Sequence, residues 1–155
     1  MAIFDAMLEL SNDQDLGANA DSSTEASTNI IDFVISDVEI GAGNPLWLNI
    51  KVGTEAISNT DSDATLTVAL CRDTVAPIDS SSTVIYQTAA IAQTALTAGT
   101  PILRMPLPNN VDEDRIVGLL YMINGSSNST AGTVDAWIDN GAPSSFNTQV
   151  SASNI

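Results

Sequence analysis

The sequence predicts an all-β fold, namely a jelly-roll-like β-sandwich of about seven or eight strands with an extended N-terminal arm. Short runs of alternating apolar and polar residues recur along the chain, and this alternation is typical of strands with one buried face. Turn signals separate the runs roughly every ten to fifteen residues, and no long helical period follows residue 26. Short strands at such spacing are typical of a sandwich, and the jelly roll is its eight-stranded form.

We divide the 155 residues into three parts. Residues 1–26 are predicted to form an arm and linker, because a short apolar start precedes a stretch rich in Asn, Asp, Ser and Ala. Residues 27–142 are predicted to form the β-sandwich domain. Residues 143–155 are polar and are expected to form a C-terminal tail. This length fits one domain with such extensions.

The first two predicted strands lie on either side of a strong turn signal. Residues 29–35 are rich in β-branched side chains, which favour strands. The sequence GAGNP at residues 41–45 then predicts a turn. Residues 46–52 alternate, so that one face would carry aliphatic side chains and the other would carry Trp47, Asn49 and Lys51.

Five further runs complete the set of strands. Residues 115–123 form the most apolar run, which favours a central strand. Residues 102–107 are bounded by prolines, which favours an edge strand or a strand end because proline cannot donate to a ladder. At residues 88–98 the sequence does not distinguish a helix, which the alanines favour, from a strand or extended loop, which the threonines and the flanking glycine favour. The remaining strands are expected at residues 64–71, 83–87 and 133–138.

Composition excludes most catalytic classes. The chain has no histidine, one cysteine, and four cationic side chains against nineteen acids, which gives a net charge of −15. Without imidazole there is no general base near neutral pH and no common transition-metal ligand, so we expect no enzyme, no cofactor, and no catalytic or metal-binding residue. Four dispersed cations cannot form a nucleic-acid-binding stripe. No run approaches the ~18 apolar residues that a membrane span needs, so no membrane partner is expected either.

A few residues leave two interpretations open. Residues 13–17 resemble the start of a calcium loop, but later ligands of that loop are missing. The acidic turns at residues 61–63 and 112–114 are more typical of solvated loops than of calcium sites. Trp47 and Trp137 lie opposite the aliphatic faces of their strands, where they either contact another protein or are buried beneath a loop or arm. Cys71 ends an apolar run and is predicted to be a small buried side chain.

Several segments, taken in order, resemble a known family. They follow Asp5 and are LSNDQ at residues 10–14, STNIID at 27–32, GAGNPLWL at 41–48, ATLTVAL at 64–70, YQTAAI at 86–91, RMPLP at 104–108, RIVGLLY at 115–121 and AGTVDA at 131–136. Their order and spacing resemble the capsid cement (head-decoration) proteins of tailed bacteriophages, of the type on a Bordetella podophage head. The resemblance covers most of residues 5–138.

This resemblance implies a jelly-roll-like protein on the outer surface of the virion capsid. It implies binding to the phage major capsid protein, stabilisation of the capsid shell, assembly into a homo-oligomer (a dimer or trimer), and no enzymatic activity. The apolar start of the chain is the candidate capsid-binding arm, because it could anchor in a neighbour's groove or extend a neighbour's sheet. The candidate residues are Ile3, Phe4, Asp5, Met7, Leu8, Leu10 and Gln14.

Two other functional classes stay open from the sequence. A β-sandwich with exposed aromatic residues also fits a carbohydrate- or host-surface-binding module of a phage tail or fibre. A hydrolase would need a cleft with paired carboxylates, whereas the acids here are expected in loops.

Overall fold

A computed structural model describes residues 6–16, 23–35 and 45–140 of the chain. Its strands, in chain order, are β1 (Glu9–Asp15), β2 (Ser23–Ala26), β3 (Ile31–Asp32), β4 (Leu46–Val52), β5 (Ser58–Asn59), β6 (Thr65–Asp73), β7 (Thr83–Gln87), β8 (Ile91–Ala92), β9 (Pro101–Pro106), β10 (Ile116–Asn124), β11 (Ser129–Ala131) and β12 (Thr133–Asn140). Short 3-10 helices cover Ala6–Leu8 and Gln93–Ala95. The described residues contain no α-helix, which confirms the predicted all-β class.

The principal strands form two antiparallel sheets whose order is that of a jelly roll. The first sheet has the order β1-β12-β4-β9, and the second has the order β2-β10-β6-β7, with β3 added on β10 and β8 on β6. Among the eight principal strands the first pairs with the last, the second with the seventh, the third with the sixth, and the fourth with the fifth. This is the pairing of one long antiparallel ribbon wound into a sandwich.

The main core lies between the two sheets. Because side chains alternate along a strand, every second residue of each inner strand points into this space. Fully buried examples are Leu48, Ile50 and Val52 from the first sheet and Leu66, Leu70, Val117, Leu119 and Tyr121 from the second. Burying one such side chain stabilises the fold by about 1.5–3 kcal/mol.

A second, smaller core covers the outer face of the second sheet. The intervening residues of β6 and β10 contribute Ala69, Cys71, Ile116 and Leu120, and Ile78 from the loop after β6 packs on them. β10 is therefore apolar on both faces, which explains its uninterrupted apolar sequence. Its position between β2 and β6 confirms the predicted central strand.

The described part of the predicted arm and linker differs from the expectation. Residues 9–15 form β1, which pairs with β12, and residues 23–26 form β2, which pairs with β10. Leu10 and Leu16 are fully buried in the main core. These segments are polar and lack the alternating apolar pattern that predicts a strand. In β1 the pattern is missing because the strand has two register shifts and buries only part of one face. Residues 1–5 and 17–22, and the predicted tail at 143–155, lie outside the described residues.

Three other predicted elements can be compared with the structure. The run at residues 29–35 is a strand only at Ile31–Asp32, after which Val34 adopts a φ of 68°. The ambiguous stretch at residues 88–98 forms β8 and a 3-10 helix. The strand bounded by prolines, β9, is an edge strand as predicted.

Candidate interaction surfaces

The cations of the chain are engaged with neighbouring side chains. Lys51 Nζ lies 2.9 Å from Asp135 Oδ2, Arg72 binds Glu113 and Asp114, and Arg115 binds Asp32. The fourth cation, Arg104, lies over the ring of Trp47 at 5.8 Å from its centroid. These four ion pairs join three cations to four carboxylates, and the excess of acids over cations dominates the electrostatic field around the protein.

One end of the sandwich, which we call the polar end, carries the loops at residues 53–64 and 125–132. Asp63 holds these two loops together: its carboxylate accepts hydrogen bonds from the Ser126 backbone N–H at 3.1 Å and from Asn59 Nδ2 at 2.6 Å. These bonds favour the ionised form and lower the pKa of Asp63 to about 2. The Asp63 carboxylate therefore has a structural role, which is to hold the two loops together.

A second network at the polar end surrounds Asp13. Its carboxylate accepts hydrogen bonds from the Thr54 backbone N–H and hydroxyl, both at 2.9 Å, and the Thr54 N–H bond is the largest cause of its lowered pKa. Gly53 lies so close that an added Cβ would be 2.5 Å from Asp13 Oδ1 and 2.4 Å from Thr133 Oγ1. Asp13 belongs to the segment that resembles the start of a calcium loop. In the structure its carboxylate instead joins β1 to the loop after β4 by hydrogen bonds.

The described residues hold no group of three Asp, Glu or Cys side chains that could bind a metal ion. Cys71 is buried, as predicted, and burial raises the pKa of its thiol to about 11. A protonated, enclosed thiol is a poor nucleophile.

No helix in the described ranges is long and apolar enough to cross a membrane.

The opposite end carries exposed apolar side chains, and we call it the apolar end. It is defined by Met7, Val34, Ile35 and Val75, which are 66–82% exposed. Two pairings place three of these residues together: Asp32 of β3 and Asp73 of β6 both pair with Ile116 of β10, and Val34, Ile35 and Val75 follow directly. Met7 precedes β1 at the end where Glu9 pairs with Trp137.

The backbone at Val34 is held in an unusual conformation. Its φ of 68° lies in the left-handed region, which a β-branched residue rarely adopts. The Val34 N–H donates to Asp32 Oδ1 at 2.7 Å, and Arg115 holds the same carboxylate, which lowers the pKa of Asp32 to about 2. This local network keeps two large apolar side chains turned towards solvent, and such strain is typical of functional segments.

The predicted arm residues have different roles. Leu10 belongs to the buried core, and the Gln14 side chain donates to Ala26 O at 2.9 Å and accepts from the Thr28 N–H at 2.9 Å. Leu8 packs against the core, whereas Met7 is 82% exposed. The remaining three candidates, Ile3, Phe4 and Asp5, lie outside the described residues. Of the four described candidates, only Met7 presents a largely exposed side chain.

The two tryptophans are buried to different degrees, which favours burial over contact with another protein as the interpretation of these residues. Trp137 is only 4% exposed and pairs with Asn49, which is fully buried. Trp47 is half-buried beneath Arg104. The outer face of the first sheet is therefore not an open aromatic platform at these positions.

Sequence reasoning missed most of the exposed apolar residues. The predicted strand at residues 29–35 gave Val34 and Ile35 no surface role, and no prediction singled out Val75. Val84 and Tyr86, 48% and 37% exposed on β7, were assigned to a strand without a surface role. The Asp32-Phe33-Val34 sequence does not by itself predict a left-handed valine, and Arg115, which binds the Asp32 carboxylate, is distant in sequence.

Comparison with protein families finds a match for most of the chain. The model of the Bbp16 family, named for a Bordetella phage protein, matches residues 14–138. The matched range begins near the end of β1 and ends inside β12, so it includes every strand from β2 to β11. No curated protein matches the chain significantly.

Proposed function

We propose, from the premise that this chain belongs to the Bbp16 family of phage-associated proteins, that it is a capsid cement protein. In this role it binds the outer surface of the phage head and joins neighbouring subunits of the major capsid protein. It acts as a structural protein of the virion and catalyses no reaction.

The observation that carries this proposal is the concentration of exposed apolar side chains at the apolar end. Met7 precedes β1 of the first sheet, and Val34, Ile35 and Val75 follow β3 and β6 of the second, yet all four lie at the same end of the sandwich. Burying such side chains against another protein is favourable by about 25 cal/mol per Å² of apolar area. Modest single contacts become strong attachment when many copies bind one shell.

The rigidity of the sandwich supports the same role. A protein that clamps neighbouring subunits must transmit force without deforming. Here a core covers each face of the second sheet. Asp13 and Asp63 fix the loops of the polar end by hydrogen bonds. Close-packed interiors of this kind have low compressibility.

The charge distribution also supports an outer-shell position. A net charge of −15 opposes contact with packaged DNA. Acids also lie at this end: Asp79 accepts a hydrogen bond in the loop after β6, and Glu113 pairs with Arg72 of β6. An apolar capsid surface bordered by basic residues would complement it and would bind faster at low ionic strength.

The test is binding of the purified protein to heads of the parent phage that lack it. Co-sedimentation of the wild-type chain is compared with Ile35→Lys and Val75→Lys, which place a charge on the apolar end. Thr60→Lys adds the same charge to an exposed position at the polar end and is the matched control. We expect both apolar-end variants to lose most head binding and the control to bind normally.

A deletion tests the remaining part of the predicted arm. Removing residues 1–5 takes away Ile3, Phe4 and Asp5 and leaves β1 complete, whereas a longer deletion that includes Leu10 would damage the core. Reduced occupancy of heads by the folded truncated protein would support an anchoring arm. If wild-type protein fails to bind heads but labels host cells or glycans, the tail- or fibre-module alternative replaces the cement role.

A further inference from the structure

Val34 is held in a backbone conformation that its residue type disfavours. Three non-glycine residues of the described ranges have a positive φ, namely Asp13, Val34 and Ser62. Aspartate and serine carry short polar side chains, and Asp13 uses its own to accept hydrogen bonds from Thr54. Val34 has no such group, and its branched Cβ makes a φ of 68° unfavourable. Glycine or asparagine would form the same turn with less strain.

Packing within the protomer does not compensate for this strain. The Val34 side chain is 73% exposed, so folding buries little of it. In a regular strand successive side chains point to opposite faces, and Ile35 would then share the face of Phe33, which packs against the main core. The left-handed residue interrupts this alternation, and Val34 and Ile35 are both exposed. The conformation therefore presents two consecutive apolar side chains outside the fold.

Asp32 and Arg115 hold this conformation through a connected set of hydrogen bonds. Asp32 Oδ1 accepts the Val34 N–H at 2.7 Å and the Arg115 Nε–H at 2.6 Å, and Arg115 Nη2 binds Asp32 Oδ2. The Phe33 N–H donates to Arg115 O at 2.9 Å, so Arg115 also fixes the backbone that leads to Val34. Because a guanidinium binds both oxygens of a carboxylate, it fixes the direction of that carboxylate as well as neutralising its charge. The Asp32 oxygen is thereby aimed at the Val34 N–H.

The exposure of this ion pair separates its role from the stability of the fold. The Arg115 side chain is half-exposed, and ion pairs that are open to solvent contribute little to the free energy of unfolding. The backbone pairing of β3 with β10 and the packing of the main core involve other groups. Loss of the ion pair is therefore expected to release the loop without unfolding the sandwich.

We propose that Asp32 and Arg115 are positioning residues for the capsid contact: they hold Val34 and Ile35 as a preorganised apolar anchor that enters an apolar pocket of the major capsid protein. This role rests on the proposed function and adds to it the residues that shape the contact. A loop already held in its bound conformation loses little conformational freedom on binding, so the affinity is higher. If only about a tenth of the molecules kept that conformation, the apparent affinity would fall about 10-fold.

Three matched variants test this role. Asp32→Ala removes the carboxylate, and Arg115→Lys keeps the charge but lacks the planar fork that binds both carboxylate oxygens. Asp135→Ala is the control, because Asp135 also accepts a backbone N–H, that of Asp13 at 2.6 Å, and pairs with Lys51. Asp13 has a positive φ as well, but it lies at the polar end.

The conformation of Val34 and the binding of heads are measured separately. In NMR spectra, a residue with positive φ gives a strong nuclear Overhauser cross-peak between its own amide and α protons. We expect this cross-peak for Val34 in the wild-type protein and in Asp135→Ala, and a weaker one in Asp32→Ala and Arg115→Lys. In co-sedimentation with heads that lack the protein, the last two variants should bind at least ~10-fold more weakly, and Asp135→Ala should bind normally. Circular dichroism confirms that each variant is folded.

Val34→Gly separates the side chain from the turn. Since glycine adopts a positive φ freely, this variant should unfold at the same temperature as the wild type or higher, yet bind heads at least ~10-fold more weakly. Normal head binding by Asp32→Ala and Arg115→Lys would overturn the inference, and so would a Val34 cross-peak that persists in both. If neither the wild-type protein nor Asp135→Ala binds heads, the proposed function fails, and the spectra alone decide whether Asp32 and Arg115 hold the loop.

Discussion

The hydroxyl oxygens of Ser11 and Tyr121 lie 2.8 Å apart inside the sandwich. Tyr121 is fully buried on β10, the central strand of the second sheet, and Ser11 is 2% exposed on β1, an edge strand of the first. Ser11 donates its own proton to Gln14 Oε1 at 2.7 Å, so Tyr121 donates to Ser11. A chain of polar contacts thus ties the edge strand to the opposite sheet through an otherwise apolar core.

This hydrogen bond predicts that removing the Ser11 hydroxyl and removing the Tyr121 hydroxyl lower the free energy of unfolding by different amounts. Ser11→Ala leaves the Tyr121 hydroxyl buried without a partner and should lower the free energy of unfolding by about 1–3 kcal/mol. Tyr121→Phe leaves Ser11 bonded to Gln14 and should cost about 1 kcal/mol or less. Urea denaturation followed by circular dichroism at a fixed protein concentration measures both values.

The double variant is the control for this pair. Ser11→Ala/Tyr121→Phe removes the donor together with the acceptor, so it should be no less stable than Ser11→Ala alone. If the two single effects simply add, the hydroxyls do not interact in the folded protein.

Close packing at Gly53 gives a second prediction. An alanine Cβ there would lie 2.4 Å from Thr133 Oγ1, and Thr133 Oγ1 also accepts the Glu55 N–H at 3.0 Å. Gly53→Ala must displace these groups and should destabilise the protein by about 2–3 kcal/mol. Gly99→Ala is the comparison, because Gly99 has a φ of 75° but nothing within 4 Å of an added Cβ. It should cost only the backbone penalty, about 1 kcal/mol. Equal thermal unfolding midpoints for the two variants would contradict this packing argument.

Strands with strong alternation were predictable from the sequence, and strands held by polar contacts were not. β4, β6 and β10 carry regular apolar positions that only a buried strand explains. β1 has the sequence ELSNDQD, and its place in the sheet depends on Leu10 and on bonds made by Ser11 and Gln14 to distant residues. No local pattern encodes those bonds.

The candidate surfaces were less predictable than the fold. The arm hypothesis relied on apolar composition, which does not distinguish Met7, largely exposed, from Leu10, fully buried. Exposure of Val34 depends on the Asp32 carboxylate and on Arg115, which meet only after β3 and β10 pair.

The enclosure of Cys71 gives a third prediction. The thiol lies in the small outer core beside Ile78, and burial raises its pKa to about 11. Folded protein should therefore react with a thiol reagent at mildly alkaline pH at least ~100-fold more slowly than urea-unfolded protein, since few thiolates form and access is blocked. Ile78→Ala opens this cover and should accelerate the reaction while the sandwich stays folded. Rapid labelling of the wild-type protein under native conditions would show that the loop after β6 does not close over the sheet.

The network at Asp63 predicts a loss of stability in acid. Hydrogen bonds from Ser126 and Asn59 lower the pKa of Asp63 from 3.8 to about 2, so the unfolded chain takes up a proton at higher pH than the folded chain does. The stabilisation is therefore complete above about pH 4 and is lost as the pH falls towards 2. Asp63→Asn should be less stable than wild type at neutral pH, and the difference should shrink across this interval in urea titrations. Glu55→Gln, which removes one negative charge from an exposed side chain at the same end, corrects for the change in net charge. A difference between Asp63→Asn and wild type that stays constant down to pH 2 would mean that the ionised carboxylate does not hold the two loops together.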